Sequence, residues 1–264
     1  MFVQYLPSKR QNNTHIYTKE EFPILGIDFG TTNSVVSYYI DAPQFHGTKP
    51  VCHLQTGNML FPSVVYYDSK SGFVTGLLAY QRRLLYPSKV IPSIKRSLLS
   101  EKILIDGVEF YPHQLVREIF KGFLMNVRNE RPKSKPTITT ITVPYFFMQP
   151  QNLIIRKAAE EAFKEVFGCY PQIEIIPEPV AASLYWIYNN QKQYQGKKTT
   201  LVFDLGGGTF DLSLVESIIY PNRISCEVIA VDGSDQLGGD DIDKILYNYI
   251  IDFHCKFLQI YTFL

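Results

Sequence analysis

The sequence predicts a mixed α/β fold built from two related halves. Stretches of strand length alternate with segments of helix length in which apolar side chains recur at helical spacing. A strand–loop–strand pattern also occurs twice, over residues 24–40 and again over residues 200–216. The first strand of each copy ends near an aspartate, Asp28 or Asp204, and these lie 176 residues apart. Two such hairpins favour two related lobes that face each other.

The helices are predicted from apolar spacing and from the residues that begin and end helices. One starts near Pro112, which suits a first helical turn, and continues to about residue 127. A second covers residues 150–167, with Gly168 as its stop. Two more are predicted over residues 180–188 and from residue 241 onward. Further strands are predicted over residues 59–67, 137–143, 173–176 and 225–231.

Composition excludes several classes of protein. The chain has 26 basic and 25 acidic residues, so its net charge of +1 produces no field that would attract nucleic acid or an anionic membrane. No stretch approaches the ~20 apolar residues of a membrane span. The four cysteines form no C-x-x-C pair, which disfavours a zinc site or a disulfide framework. A cytoplasmic protein without a nucleic-acid or membrane partner is therefore predicted.

The loops of the two hairpins are candidates for phosphate binding. Glycines leave backbone N–H groups free to face an anion, and the missing Cβ lets phosphate oxygens approach closely. Threonine hydroxyls add further donors. The first loop consists of Gly30, Thr31, Thr32 and Asn33, and the second of Gly206, Gly207, Gly208 and Thr209.

Three aspartates flank these loops: Asp28, Asp204 and Asp211. Carboxylates repel phosphates unless a cation lies between them, and Mg²⁺ prefers such oxygen ligands. One glycine-rich hairpin alone, or one such aspartate, would be ordinary turn chemistry. The chain contains no G-x-x-x-x-G-K-[ST] motif and no G-x-G-x-x-G that opens a helix, which excludes a P-loop and disfavours a dinucleotide fold.

These motifs resemble those of the ATPase domain of the seventy-kilodalton heat-shock chaperones. Residues 26–34 and 201–211 resemble the two phosphate motifs of that family. Residues 94–96, 141–147, 177–182 and 237–243 resemble four further segments, and all six occur in family order. The resemblance implies an actin-like ATPase fold with duplicated, ribonuclease-H-like lobes. A flexible extension would cover residues 1–22, the first lobe residues 23–178, and a partial second lobe residues 179–264.

The resemblance also implies roles for single residues. Lys95 would hold the attacking water and the γ-phosphate, while Glu178 and Asp211 would orient the water or the metal shell. Asp28 and Asp204 would hold Mg²⁺, mostly through its waters. The cofactors would be ATP or ADP with Mg²⁺, and any activity would be Mg²⁺-dependent hydrolysis of ATP to ADP and phosphate. Contacts to the nucleotide are implied for Gly30, Thr31, Thr32, Asn33, Gly206, Gly207, Gly208, Thr209, Gly238 and Gly239.

The chain departs from the family pattern in three respects. Pro177 stands where the family usually has Asn, and Asn152 where a coupling Arg is usual. The sequence ends about twenty residues after Gly238 and Gly239, before the family's adenosine segment and peptide-binding domain. An incomplete second lobe is therefore expected. Its partners would be co-chaperones or a separate C-terminal half, with unfolded clients only where a peptide-binding domain is supplied elsewhere.

Two alternatives remain open at this stage. One is a filament-forming actin-like protein of the same superfamily, because such proteins carry similar Asp-x-Gly-Thr and Gly-Gly-Gly-Thr loops. The other is a degenerate fragment without enzymatic activity.

Overall fold

The computed structural model describes residues 3–5, 24–42, 45–53, 56–133, 135–190, 196–220, 223–234 and 237–261. Within these ranges the chain forms the predicted mixed α/β fold, with strands gathered into separate sheets. The strands are β1 Val3–Tyr5, β2 Ile24–Phe29, β3 Asn33–Ala42, β4 Phe45–Pro50, β5 Phe61–Pro62, β6 Val65–Asp68, β7 Gly72–Thr75, β8 Val90–Ile91, β9 Ile103–Ile105, β10 Val108–Phe110, β11 Ile138–Val143, β12 Gln172–Pro177, β13 Gly196–Leu205, β14 Phe210–Tyr220 and β15 Arg223–Ser234. The helices are α1 Leu77–Arg82, α2 Pro112–Glu130, α3 Gln149–Phe167, α4 Glu178–Asn189 and α5 Gly239–Tyr261, with 3₁₀ turns at Pro87–Lys89 and Ile94–Ser97.

The largest sheet contains the first predicted hairpin. Its strand order is β12-β11-β2-β3-β4, and β5 pairs with the start of β3. The hairpin strands β2 and β3 are antiparallel, whereas β2, β11 and β12 run parallel to one another. The carboxyl ends of these parallel strands therefore meet at one edge of the sheet. That edge brings Asp28, Thr142 and Pro177 into neighbouring positions.

Helices α2 and α3 cover this sheet and form the main core with it. The apolar residues of α2 recur at intervals of three and four, and Leu115, Ile119 and Phe123 are buried against the strands. Helix α3 ends at Gly168, whose φ of 71° is the left-handed conformation that glycine adopts without a Cβ clash. The predicted bounds of both helices, residues 112–127 and 150–167, are confirmed to within a few residues.

The second predicted hairpin lies in a separate antiparallel sheet with the order β1-β15-β14-β13. Its strands β13 and β14 place Asp204 directly opposite Asp211. Helix α4 packs on one face of this sheet, where Val180 and Ile187 join a small core with Val215. Both turns thus follow strands that end in aspartate and an apolar residue, but they belong to different sheets.

Several short elements were not predicted from the sequence. They are α1, β4 and the strands β7 to β10, and the predicted strand over residues 59–67 is two strands, β5 and β6. Strand β1 falls within the predicted flexible extension over residues 1–22 and pairs with β15, while the rest of that extension lies outside the described residues. None of the described helices is both long and apolar enough to cross a membrane.

Candidate functional site

The two hairpin turns open onto one cleft with a volume of about 220 Å³. Both glycine–threonine loops contribute to its walls. A lysine also lines the cleft, as do acidic residues that come from the first sheet, the second sheet and the start of α4. The lining residues are Asp28, Gly30, Thr31, Thr32, Asn33, Lys95, Pro144, Glu178, Asp204, Gly206, Gly207 and Thr209. Residues that lie far apart in the sequence are thereby gathered around one space.

The first loop is held by hydroxyl groups of neighbouring segments. Ser63 Oγ donates a hydrogen bond of 2.8 Å to the carbonyl oxygen of Gly30, and it lies 2.8 Å from Ser34 Oγ. Thr142 Oγ1, on the adjacent parallel strand, donates 2.9 Å to Asp28 Oδ1. These bonds fix the backbone of the loop and orient the Asp28 carboxylate at the edge of the sheet.

The second loop approaches the first so closely that glycine is required at Gly207. A Cβ placed on Gly207 would overlap Thr32 Oγ1 and lie 2.9 Å from the Cβ of Thr32. The Oγ1 of Thr32 is buried and accepts or donates no hydrogen bond within the described part of the chain. A buried hydroxyl without a partner costs free energy, so this atom is a candidate contact for a polar ligand.

Gly208, Gly238 and Gly239 do not line the cleft. Gly208 is buried against Thr31 and Arg96, and the other two pack behind the second loop. The N–H of Gly239 donates 3.0 Å to the carbonyl of Gly206, and that of Asp240 donates 2.8 Å to the carbonyl of Gly207. These glycines therefore hold the shape of the loop from outside, and their direct contact with a nucleotide stays a prediction.

Because of this packing, the adjacent glycines Gly238 and Gly239 differ in how much space a Cβ would have. A Cβ on Gly238 would lie 2.5–2.7 Å from backbone atoms of Gly207 and Gly208, whereas a Cβ on Gly239 would meet its nearest neighbour at an ordinary 3.7 Å. We expect Gly238→Ala to lower the free energy of unfolding by ~1–3 kcal/mol, since backbone atoms cannot rotate away. Gly239→Ala, the matched control, should leave it nearly unchanged. Urea denaturation compares the two, and equal effects would show that the loop does not rest on Gly238.

Lys95 lies at the floor of the cleft, on the 3₁₀ turn Ile94–Ser97. Its side chain is almost fully buried, and its Nζ donates hydrogen bonds to the carbonyl oxygen of Phe29 and, at 3.1 Å, to Glu178 Oε1. Nζ also lies 5.4 Å from the ring centroid of Phe29 and 5.5 Å from that of Phe147, within cation–π range. The ammonium group is thus fixed in position at the floor of the cleft.

The acidic residues around the cleft crowd one another. Burial raises the pKa of Glu178, the charges of Asp28 and Asp204 raise it further, and Lys95 opposes this rise. The pKa of Asp204 is raised by burial and by the charge of Asp28. Asp211 lies just behind Asp204, and its pKa is raised by burial and by Asp204, against a hydrogen bond from Thr209. The site therefore carries negative charge that a cation would relieve.

Direct ligation of a metal by protein side chains is limited. In the part of the chain that the structure describes, no three His, Cys, Asp or Glu side chains converge closely enough to hold one ion. A cation in this cleft would therefore depend on two carboxylates and on ligands that the protein does not supply. This pattern suits Mg²⁺, which keeps several waters and is often shared with phosphates.

Sequence reasoning assigned no role to Arg96, Thr142 or Ser63. Arg96 directly follows Lys95, and its guanidinium donates a hydrogen bond to the carbonyl of Gly208, 112 residues later in the chain. Nothing local in the sequence indicates that contact. Thr142 could have been found once the order of the parallel strands was known, because the register of β11 and β2 places it beside Asp28.

Comparison with known proteins places the chain in a family. Residues 101–259 match the family described as Hsp70 protein. The chaperone proteins DnaK of Thermotoga petrophila and Thermotoga maritima are each 35% identical to the chain over 235 residues, which is 89% of this chain. The chain therefore belongs to the Hsp70 family, as the motifs predicted. It spans 36% of the length of these relatives.

Proposed function

We propose that this chain is a nucleotide-binding domain of a heat-shock-type chaperone, which binds ATP and ADP with Mg²⁺ in the cleft between its hairpins and hydrolyses ATP there. Residues 23–178 would form the first lobe of an actin-like fold, and residues 179–264 would begin the second. Membership of the Hsp70 family favours this function over that of a filament-forming relative.

One observation carries the proposal: two glycine–threonine loops from different sheets line a single cleft with a buried lysine. Loops of this kind present N–H and hydroxyl donors to phosphate oxygens, and here they would do so from opposite sides. A phosphate chain between them would also give Thr32 Oγ1 a hydrogen-bond partner, which it lacks among the described residues. A tight turn that served only to connect strands would need neither arrangement.

The residues of the cleft fit Mg²⁺. Asp28 and Asp204 reach the cleft from the two hairpins, and their mutual repulsion is relieved by a divalent cation. When bound, Mg²⁺ would neutralise charge on the phosphates. The hydrogen bond from Thr142 would already orient the Asp28 carboxylate before the ion binds. The other acidic residues would complete the hydrogen-bonding shell around the ion.

The remaining residues would serve catalysis by position and charge. Lys95 would stabilise negative charge that grows on the γ-phosphate in the transition state. Glu178, which already accepts a hydrogen bond from Lys95, would orient the attacking water. Thr209 in the second loop and Asp211 behind it would be further groups of this kind. No covalent intermediate on the protein is required.

The wider role follows from the relatives, which are named chaperone proteins. We propose that the chain acts in protein folding, with nucleotide-dependent co-chaperones as partners. Client binding would require segments of the relatives' length that this chain does not span.

Binding of Mg²⁺–ATP by calorimetry tests the proposal, with Asp204→Asn as the central variant. We expect Mg²⁺-dependent affinity to fall about 10–100-fold in this variant, as is usual when a group that holds a metal through its waters is removed. Asp252→Asn removes the same charge from an exposed site on α5 and should bind like the unmodified chain.

The pH dependence gives a second measurement on the same variant. Mg²⁺ requires ionised carboxylates, and the pKa of Asp204 and that of Glu178 are raised. The affinity for Mg²⁺–ATP should therefore decline as pH falls. This decline should begin at a higher pH than it would if the carboxylates were exposed, and it should be weaker in Asp204→Asn. Absence of any Mg²⁺–ATP binding by the unmodified chain would refute the proposed function.

A further inference from the structure

Arg96 connects the first lobe to the loop of the second hairpin. It follows Lys95 on the 3₁₀ turn Ile94–Ser97, but its side chain points to the second lobe. Its Nη2 donates a hydrogen bond to the carbonyl oxygen of Gly208 and lies 3.7 Å from Asp241 Oδ2 in the first turn of α5. One guanidinium thus contacts both the glycine loop and the helix that packs behind it.

The fit between the guanidinium and the loop is close. A Cβ on Gly208 would lie 2.9 Å from both Nε and Nη2 of Arg96, and 2.8 Å from Cγ2 of Thr31. Gly208 is therefore held between the first hairpin and Arg96, with no space for a larger residue. A planar guanidinium can lie flat along a backbone in this way, which a lysine ammonium cannot do.

Asp241 is placed to strengthen this contact. Its Oδ2 is buried and forms no hydrogen bond with any described residue, and its distance of 3.7 Å from Arg96 is beyond hydrogen-bond range. A shift of the second lobe by less than 1 Å toward Arg96 would convert this ion pair into a charge-assisted hydrogen bond of ~2.9 Å. The contact is thus an ion pair without a hydrogen bond in this structure, and a small closing movement of the cleft would complete it.

We infer that Arg96 is a positioning residue that latches the Gly206–Gly208 loop to the first lobe and so sets how long a nucleotide stays bound. This inference rests on the proposed function. Lys95 and Arg96 share one turn, so loop closure onto Arg96 also fixes the turn that presents Lys95 to the cleft. Arg96 itself does not line the cleft and acts through the loop.

The test measures release of a fluorescent ADP analogue by stopped flow after addition of excess unlabelled ADP. We expect Arg96→Ala to release it about tenfold faster, the usual effect of losing one hydrogen bond to a charged group, with little change in the association rate. Arg96→Lys should recover part of the lifetime, because an ammonium can still donate to Gly208. Asp241→Asn should raise the release rate about two- to fivefold, as for a partly exposed ion pair.

Arg83→Ala is the matched control, since Arg83 is an exposed arginine whose guanidinium contacts Tyr80 and does not line the cleft. Thermal melting of every variant checks that release is compared between folded proteins. A release rate in folded Arg96→Ala equal to that of the control would overturn the inference.

Hydrogen–deuterium exchange without nucleotide separates this inference from the proposed function. Faster exchange of the backbone N–H groups of residues 206–209 in Arg96→Ala, but not in Arg83→Ala, is expected of a latch. Unchanged exchange would overturn the latch even where nucleotide binds normally. If the unmodified chain bound no nucleotide, the proposed function and the claim about nucleotide lifetime would both fail, while faster exchange would still establish the contact as a latch between the lobes.

Discussion

Lys95→Ala is expected to reduce ATP turnover by at least ~100-fold while nucleotide affinity changes far less. Removal of one preorganised group that stabilises charge in a transition state typically costs this much in rate. A group that acts mainly on the transition state contributes little to ground-state binding, so turnover and affinity should separate. Single-turnover hydrolysis of labelled ATP, with affinity measured in parallel, provides both quantities.

The same substitution also disturbs the fold, and this effect must be separated from catalysis. Lys95 is buried beside Glu178 at 3.1 Å, and removing one partner of such a pair costs roughly 3–5 kcal/mol because the other charge stays buried. The pKa of Glu178 is already raised by burial, so loss of Lys95 would raise it further. A simple loss of activity in Lys95→Ala could therefore reflect instability.

A double variant resolves the two effects. Lys95→Ala combined with Glu178→Gln removes both charges and should regain most of the lost stability, but it should not regain turnover. Lys102→Ala removes an exposed lysine paired with Glu109 and should leave turnover unchanged. Because Glu178 is itself proposed to orient the attacking water, Glu178→Gln alone is the reference for turnover. Turnover in the double variant equal to that of Glu178→Gln would show that Lys95 has only a structural role.

The hairpins and long helices could be predicted because their determinants are local. The loop between β2 and β3 is defined by Gly30 and its threonines, and the end of α3 by Gly168. Helix α2 shows its buried face directly in the spacing of Leu115, Ile119 and Phe123. In these elements, propensity, periodicity and termination signals agree with the final structure.

Short elements were missed because tertiary contacts decide them. Helix α1 has only six residues, and its Ala79 is buried against β-strand residues rather than defined by a long apolar stripe. It follows Gly76, where a Cβ would lie 2.7 Å from the ring of Phe61. Isolated helices this short are not stable in water, so no local signal reports them.

The part of the candidate site that comes from the repeated hairpin could be predicted from the sequence. The repeated aspartate and glycine positions indicated that Asp28, Asp204 and both loops would share a site, and all of these residues except Gly208 line the cleft. The packing of Gly238 behind the loop and the contact of Arg96 with Gly208 depend on how segments distant in the sequence pack against each other. Such contacts between distant segments have no counterpart in a local pattern.

A protein of these 264 residues is expected to self-associate through α5. Apolar side chains recur on this helix at steps of four, and Ile245, Tyr249 and Phe253 are 67%, 70% and 65% exposed. Leu246 and Ile250 widen the same stripe and are also mostly exposed. Each such side chain gains ~1.5–3 kcal/mol on burial, so five together can offset the cost of association. The helix should therefore bury this stripe against another molecule at protein concentrations of tens of micromolar.

Charge placed within the stripe should prevent this association. Ile245→Glu combined with Phe253→Glu introduces two carboxylates that would have to be desolvated in any contact through α5. Asn248→Glu adds a carboxylate on the same helix outside the stripe residues and serves as the control. Sedimentation velocity over a concentration series should show a rising average mass for the unmodified chain and for Asn248→Glu, and a constant monomer mass for the double variant. If the unmodified chain instead remains a monomer throughout the series and melts cooperatively, the exposed stripe does not drive association and the prediction is wrong.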